Sequence, residues 1–349
     1  MKLLSALALT VFLFSGTGCS IGYLLKSAYS QADLLSRRVS IEKALRDPNL
    51  TDKQKDKLRL AVEAHTFAET ELGLAKTKNY TSYVQLKAPY VTWVVSASEK
   101  SELKHYLWRY PMLGSMPYRG FFEPEGAKDE AKSLSEKGYD TYVRGVTAYS
   151  TLGWFRDPVL SSMLDYKDYD LVNTIIHETT HATVFIKSEA DFNERLASFI
   201  GMKGTEAFYR TKEGVDSATV KRMNADQADD KLFGEFISKE LTMLDAWYAE
   251  RKGKPIDESE RIARLKLVQE RFVLELKPKL NDPDGFKGFE KAELNNARLM
   301  TYRLYFEDLS QFETVFKKLD SSFPKMLEFA RSLEHSKDPV GDLAKRAAE

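Results

Sequence analysis

The chain has 349 residues, 43% of them hydrophobic and 12% aromatic, which supplies ample apolar material for a core and excludes a chain disordered by composition. Lysine plus arginine equals aspartate plus glutamate at 52 each, so the formal net charge is zero and the basic footprint of a nucleic-acid binder is missing. The lone cysteine, Cys19, excludes a disulfide framework, and stability rests on packing.

Residues 1–18 read as a signal peptide: one lysine, an apolar run from Leu3 to Phe14, then small residues before Cys19. That run is too short to cross roughly 30 Å of hydrocarbon. Gly16, Thr17 and Gly18 before Cys19 resemble a lipobox, although Gly16 stands where leucine is usual. The resemblance implies cleavage before Cys19 and lipid on its sulfur. Ser20, rather than aspartate, follows, which in Gram-negative lipoproteins of this kind points to the outer membrane, on the periplasmic face of the envelope. An ordinary secretory signal with an incidental cysteine is the alternative. Residues 19–349 are then read as a single unit, near the size at which one core stops growing.

Within that unit, residues 19–78 read as helices, with Thr51 and Asp52 as good starting caps and an end near Gly73. His65 lies in the second of these and is read as structural, lacking a ligand partner three or four residues away. Residues 79–160 are richer in Tyr, Val, Thr and Trp, and strands are expected over NYTSYVQLKAPYVTWVVSAS and YDTYVRGVTAYST. Between them Tyr110 to Phe122, with two prolines and two glycines among aromatics, reads as a packed loop. Residues 212–349 form a charged, helix-prone C-terminal part with a clear turn at Asn281 to Gly285, a helical pair from Leu294 capped by Asn295 or Asn296, and a frayed tail beyond His335.

Chemistry concentrates in residues 161–211. His177, Glu178 and His181 form HExxH, and on a helix histidines four apart stand on one face, offering two nitrogen ligands to one metal. A zinc site that hydrolyses a substrate needs a third protein ligand and one open position. Glu194 is the candidate. If the first helix runs past Phe185 it rises roughly 10 Å beyond His181, and a second, antiparallel helix beginning at Ser188 descends roughly 9 Å to bring Glu194 level with the histidines. With five histidines in the chain, HExxH by chance is on the order of a one per cent event, so chance explains it poorly.

HETTH followed by NERLASFIG resembles the gluzincin class of zinc peptidases, in which a glutamate in an NExxA motif completes HExxH. The whole chain is similar to bacterial predicted zinc aminopeptidase lipoproteins, through YPMLGSMPYRGFF, AYSTLGWFRDPVLSSML, the two metal blocks and LNNARLMTYRLYFEDLSQFE. Only twelve residues separate His181 from Glu194, a short gap for that class, and Ser198 stands where some members carry an aspartate that orients a histidine. The resemblance implies an α+β, mainly helical architecture: a zincin-like metallopeptidase core with a small mixed sheet and appended helices. It implies one zinc ion held by His177, His181 and Glu194, with Glu178 as general base. It further implies an edge strand over Ala148, Tyr149, Ser150, Thr151, Leu152 and Gly153 that binds peptide backbone. The NNARLMTYRLYFED block resembles the family's asparagine pair and spaced tyrosine, which points to Tyr305 as oxyanion donor, with Tyr302, Tyr149 and an arginine as competitors. The expected activity is that of a zinc aminopeptidase acting on peptides from the membrane surface. A zinc endopeptidase, and a non-catalytic outer-membrane lipoprotein that binds envelope proteins, are the alternatives. The sequence is silent on natural substrate and oligomeric state.

Overall fold

The computed structural model describes residues 18–110, 114–148, 156–187, 189–303 and 309–349, which are mainly helical with small sheets. Helix α1 (Gly18–Ser36) leads through the short strand β1 (Val39–Ser40) into α2 (Ile41–Leu45). Helix α3 (Asp52–Thr70) starts where the sequence places it: Thr51 and Gln54 close a reciprocal capping box, which satisfies two of the orphan amides at a helix start. His65 on α3 is structural, but it has partners: Glu69, one turn on, at 3.3 Å, and the Thr77 hydroxyl at 3.3 Å.

Three small sheets follow. Strand β2 (Ser82–Val84) pairs antiparallel with β1 and parallel with β8 (Val159–Leu160). Strand β3 (Thr92–Ser98) is the centre of an antiparallel sheet, flanked by β6 (Tyr118–Phe121) and β7 (Asp140–Val146), with Val95 opposite both Arg119 and Val143. Strands β4 (Trp108–Tyr110) and β5 (Gly114–Met116) form a two-stranded ladder. The expected loop at Tyr110 to Phe122 therefore contributes to three strands, and residues 111–113 lie outside the described part. Glycines and prolines there punctuate short strands rather than replace them. Helix α4 (Pro124–Glu136), not foreseen from the sequence, covers the β3 sheet with Ala127, Ala131 and Leu134, spaced to share one face against Val95, Ala97 and Trp108.

After β8, a 3₁₀ turn (Ser161–Asp165) delivers the chain to α5 (Asp168–His181) and α6 (Ala190–Glu213). Helix α7 (Ala218–Ala249) is followed by α8 (Glu258–Arg271), whose Arg264 and Arg271 reach back to the Met243 carbonyl and the Glu240 carboxylate of α7; α8 continues into a π-helical turn at Phe272–Leu276. Then come α9 (Lys287–Glu290), α10 (Asn296–Arg303), α11 (Ser310–Lys318), α12 (Phe323–Ser332) and α13 (Pro339–Ala348). Asn295, not Asn296, caps α10, its side chain accepting from the Arg298 amide at 2.9 Å. Helix α13 corrects the expectation of a frayed tail: Asp338 caps it, Pro339 and Leu343 are buried, and Lys318 donates to the Ala347 carbonyl.

The largest apolar core gathers α3, α5, α6 and the three C-terminal helices around Leu58, Leu171, Ile175, Phe199 and Phe312. A second, rich in phenylalanine, joins α7 to α10 through Phe233, Phe272 and Phe289. Where this second core meets the β3 sheet, buried Arg261 of α8 grips buried Asp140 of β7 through two hydrogen bonds of 2.7 and 3.1 Å, and the Asn296 amide donates to the same carboxylate. Such a pairing satisfies charges that would otherwise be costly to bury.

Candidate metal centre

Helix α5 buries Leu171, Val172, Ile175 and Ile176 in the largest core and presents His177 and His181 to Glu194 of α6, with Ile176 packed against the same helix. The helix stops at His181 instead of running past Phe185. Hydroxyls of Thr179, Thr180 and Thr183 donate back to the carbonyls of Ile175, Ile176 and Thr179, a local habit of threonine that competes with regular helix. The Thr183 and Val184 amides both turn onto the Thr180 carbonyl.

The turn that follows is locked from the next helix. Asn193, 2% exposed, accepts from the Ile186 amide at 2.8 Å and donates to the Ile186 carbonyl at 2.7 Å. Val184 and Ile186 point inward, while Phe185 stays half exposed. Ser188, the expected start of the second helix, lies outside the described residues, and α6 begins at Ala190. A second tie comes from the segment after α3, where the Ala75 amide donates to the Thr183 hydroxyl at 2.9 Å.

Two glycines let the helices approach. A Cβ on Gly201 would stand 3.2 Å from the Cβ of His177 and closer still to the Asn173 amide oxygen; one on Gly204 would meet Leu72 at 2.7 Å and Ile176 at 3.0 Å. The hairpin thereby brings together the donors that the sequence predicts. The Nε2 atoms of His177 and His181 are 3.2 Å apart, and Glu194 places Oε2 3.4 Å from the first and Oε1 3.5 Å from the second. Among the described residues this is the one group of three or more metal-binding side chains whose ligand atoms lie this close. Side-chain exposure rises from 3% at His181 through 21% at His177 to 53% at Glu194, so the triangle is closed on the α5 side and open on the α6 side. Hydrogen bonding to His177, then to His181, holds the Glu194 carboxyl well below the usual carboxylate range despite partial burial. The Nδ1 of His181 is buried and makes no hydrogen bond within the described residues.

The charge of Glu178 bears on two phenols, Tyr80 and Tyr166. Burial, and then the Glu178 charge, push the Tyr80 phenol far up; burial, the charge of Asp170 and that of Glu178 raise Tyr166, against its hydrogen bond with Thr147. The Tyr166 hydroxyl lies 2.5 Å from the Thr147 hydroxyl, and Ser162 donates to the Thr147 carbonyl, which fixes the end of β7 to the base of α5. Strand β7 ends at Val146; Ala148 is partly buried against the largest core. Tyr149, Ser150, Thr151, Leu152 and Gly153 of the expected edge strand lie outside the described residues, as does Tyr305. Tyr302 packs in the second core, its ring 5.6 Å from Phe233 and 5.4 Å from Phe289. Cys19 falls in the first turn of α1.

Sequence reasoning did not find Tyr80, nor the structural duties of Asn193 and Gly201. The last two sit in or beside the motif stretch, and a glycine three residues before another on the helix that carries Glu194 is a readable sign of close packing. Tyr80 carries no local sign at all.

No curated protein and no solved structure matches the chain. Residues 22–342, most of its length, match the family model described as "Putative aminopeptidase", and the chain belongs to that family.

Proposed function

We propose that this family member is a zinc-dependent aminopeptidase with a zincin-like core. The observation that carries the reading is the size of the donor triangle. Zinc with ligands at roughly 2.0–2.1 Å in tetrahedral array sets its donor atoms about 3.3–3.4 Å apart. The two Nε2 atoms stand 3.2 Å apart, and the Glu194 carboxylate sets one oxygen 3.4 Å from His177 and the other 3.5 Å from His181, separations of that size. Two imidazoles and one carboxylate are also a donor set for a catalytic site with an open position, whereas structural sites usually fill all four positions from the protein. A zinc ion there would supply Lewis acidity toward a carbonyl and lower the pKa of water toward neutrality.

The chain's own residues do the rest. Glu178, adjacent to His177 and three residues before His181, takes the proton of the attacking water and returns it to the leaving amine. Tyr305 is proposed as donor to the developing oxyanion, a role worth about 3–4 kcal/mol where such donors have been removed. Peptide backbone is proposed to lie along Ala148 to Gly153, and the lipid on Cys19 to hold the protein at the periplasmic face of the outer membrane.

The test uses the full chain purified in detergent. One zinc per chain is expected, lost in Glu194→Ala. In Glu178→Gln zinc is retained while turnover of aminoacyl substrates falls by about 10²–10⁴. Equal activity in Glu178→Gln sinks the mechanism, and cleavage of internally quenched peptides alone assigns an endopeptidase. Zinc bound without turnover across a broad peptide library favours a non-catalytic lipoprotein. Mass spectrometry of the same preparation reads an acylated Cys19 at the new N-terminus; an unmodified one removes the anchor.

A further inference from the structure

Helix α1 carries two charged side chains, Lys26 and Asp33, and both are spent on the body of the protein, against Glu123 and Lys87. The helix covers 19 residues, about 28 Å at 1.5 Å per residue, and is fastened at both ends. Near its start the Tyr23 hydroxyl donates to the Gly120 carbonyl of β6 at 2.5 Å. The Tyr23 ring lies 5.7 Å from that of Phe121, with the Arg119 guanidinium 4.2 Å from its centroid. A phenol held at its tip, edge and face is fixed in direction as well as in place. Lys26 meets Glu123, the capping position of α4, at 2.6 Å, an exposed pair that adds little by itself.

Toward the other end, Leu34 is buried in the largest core. Just past the helix, Arg37 donates to the Gln85 carbonyl at 2.9 Å and Arg38 to the Arg156 carbonyl at 2.8 Å. Those carbonyls flank the β2–β8 pair, from which the chain passes into α5. The end of α5 is tied back to the same region, since the Ala75 amide, ahead of β2, donates to the Thr183 hydroxyl at 2.9 Å. Helix α1 is thus a strut that joins the β6–α4 junction to the sheet holding the metal helix.

Ahead of the strut the sequence places an apolar run from Leu3 to Phe14 and then Cys19, the residue expected to carry lipid. Cys19 already belongs to the first turn of α1, so no slack linker separates the anchor from the docked helix. Nor is α1 built to lie flat on a membrane. An interfacial helix turns an apolar face to the lipid, whereas α1 turns Tyr23 and Leu34 to the protein. Among its described residues Tyr29 is the one large exposed hydrophobic.

We infer that the β6–α4 junction faces a lipid bilayer and that α1 stands the rest of the protein off from it. The lipid on Cys19 holds Tyr23, Phe121 and Glu123 beside the headgroups, and the β2–β8 sheet with the metal helix sits farther out by about one helix length. Peptides are then met in the aqueous space rather than at the bilayer surface. The inference rests on the lipid-anchor reading above and is independent of the peptidase one.

The test uses the full-length acylated protein in phosphatidylcholine vesicles. Lipid on Cys19 blocks the one native thiol, so a spin label goes to an introduced cysteine alone. Glu125→Cys reports on the first turn of α4 and Lys78→Cys on the segment before β2; both positions are exposed. With nickel chelated on lipid headgroups, relaxation at Glu125→Cys should be several-fold faster than at Lys78→Cys. Undocking the strut with Tyr23→Ala and Lys26→Glu should bring that ratio close to unity while the protein stays bound. Equal relaxation with the strut intact, or a ratio that survives undocking, overturns the inference; should the undocked variant not fold, the ratio with the strut intact decides. An unmodified Cys19 fails the anchor reading and the orientation with it, whereas an acylated protein relaxed equally at both sites overturns the orientation alone.

Discussion

Asn193 spends both ends of its amide on one residue, Ile186, and it is this side chain that fixes where α6 starts relative to the end of α5. Asn193→Ala leaves the Ile186 amide and carbonyl buried without partners. A loss of unfolding free energy of about 1–3 kcal/mol for each orphaned group is expected by denaturant titration. Chelator competition should show weaker zinc binding in the same variant, because Glu194 sits one position further along the helix that Asn193 anchors. At this scale the sequence was informative where the signal is local. His177 and His181 are four apart, and Glu194 follows within one short reversal, so their convergence needs only helix geometry. The left-handed backbone of Tyr80 was invisible because its anchor, the Asp157 carbonyl, lies far away in the chain. His65 had a readable partner in Glu69 at helical spacing, passed over because an acid there does not itself suggest a metal site.

Helices α5 and α6 lie close enough that Gly201 faces the backbone of the His177 turn. Alanine is the better helix former by about 1 kcal/mol, but overpacking at a tight helix contact costs about 1–3 kcal/mol. The steric term wins here, since the His177 Cβ is not the end of a flexible side chain. Gly201→Ala is therefore expected to lower the thermal midpoint, and to weaken zinc binding more than a stability loss of equal size elsewhere; a more stable variant with full zinc affinity would show that the helices have room to spare. Element boundaries followed the sequence less well than element identities. An apolar period that continues through Val184 and Phe185 suggested a longer α5, whereas it ends at His181, where the Thr183 and Val184 amides both turn onto the Thr180 carbonyl. Helices α4 and α13 were missed because each is short and carries many charges, so the buried stripe of Ala127, Ala131 and Leu134, or the pair Pro339 and Leu343, is diluted in a polar background.

Over the whole molecule, helix-prone and strand-rich stretches could be read from composition and periodicity, and the family resemblance implied the mainly helical class, while strand order could not be read. Pairing of β2 with β8, or of β3 with β6 and β7, depends on contacts between segments separated by loops and helices. The division of the chain beyond α6 between two cores was equally hidden, since α7 to α10 and α11 to α13 have similar compositions. Arg261 links the second core to the β3 sheet, and its removal tests that joint. Arg261→Ala strands Asp140 as an uncompensated buried charge, with an expected loss of about 3–5 kcal/mol read by chemical unfolding. Zinc stoichiometry of the folded fraction should be unchanged.

The reversal between α5 and α6 gathers all its donors from residues 177–194. Bringing together groups so near in the chain costs little loop-closure entropy, and contacts of such short range belong to the fast class of folding events. The donor cluster can thus form before the distant strands have found one another. If the proposed zinc binds there, an ion captured by that nascent hairpin would bias the chain toward the native reversal, and so guide assembly before any chemistry begins.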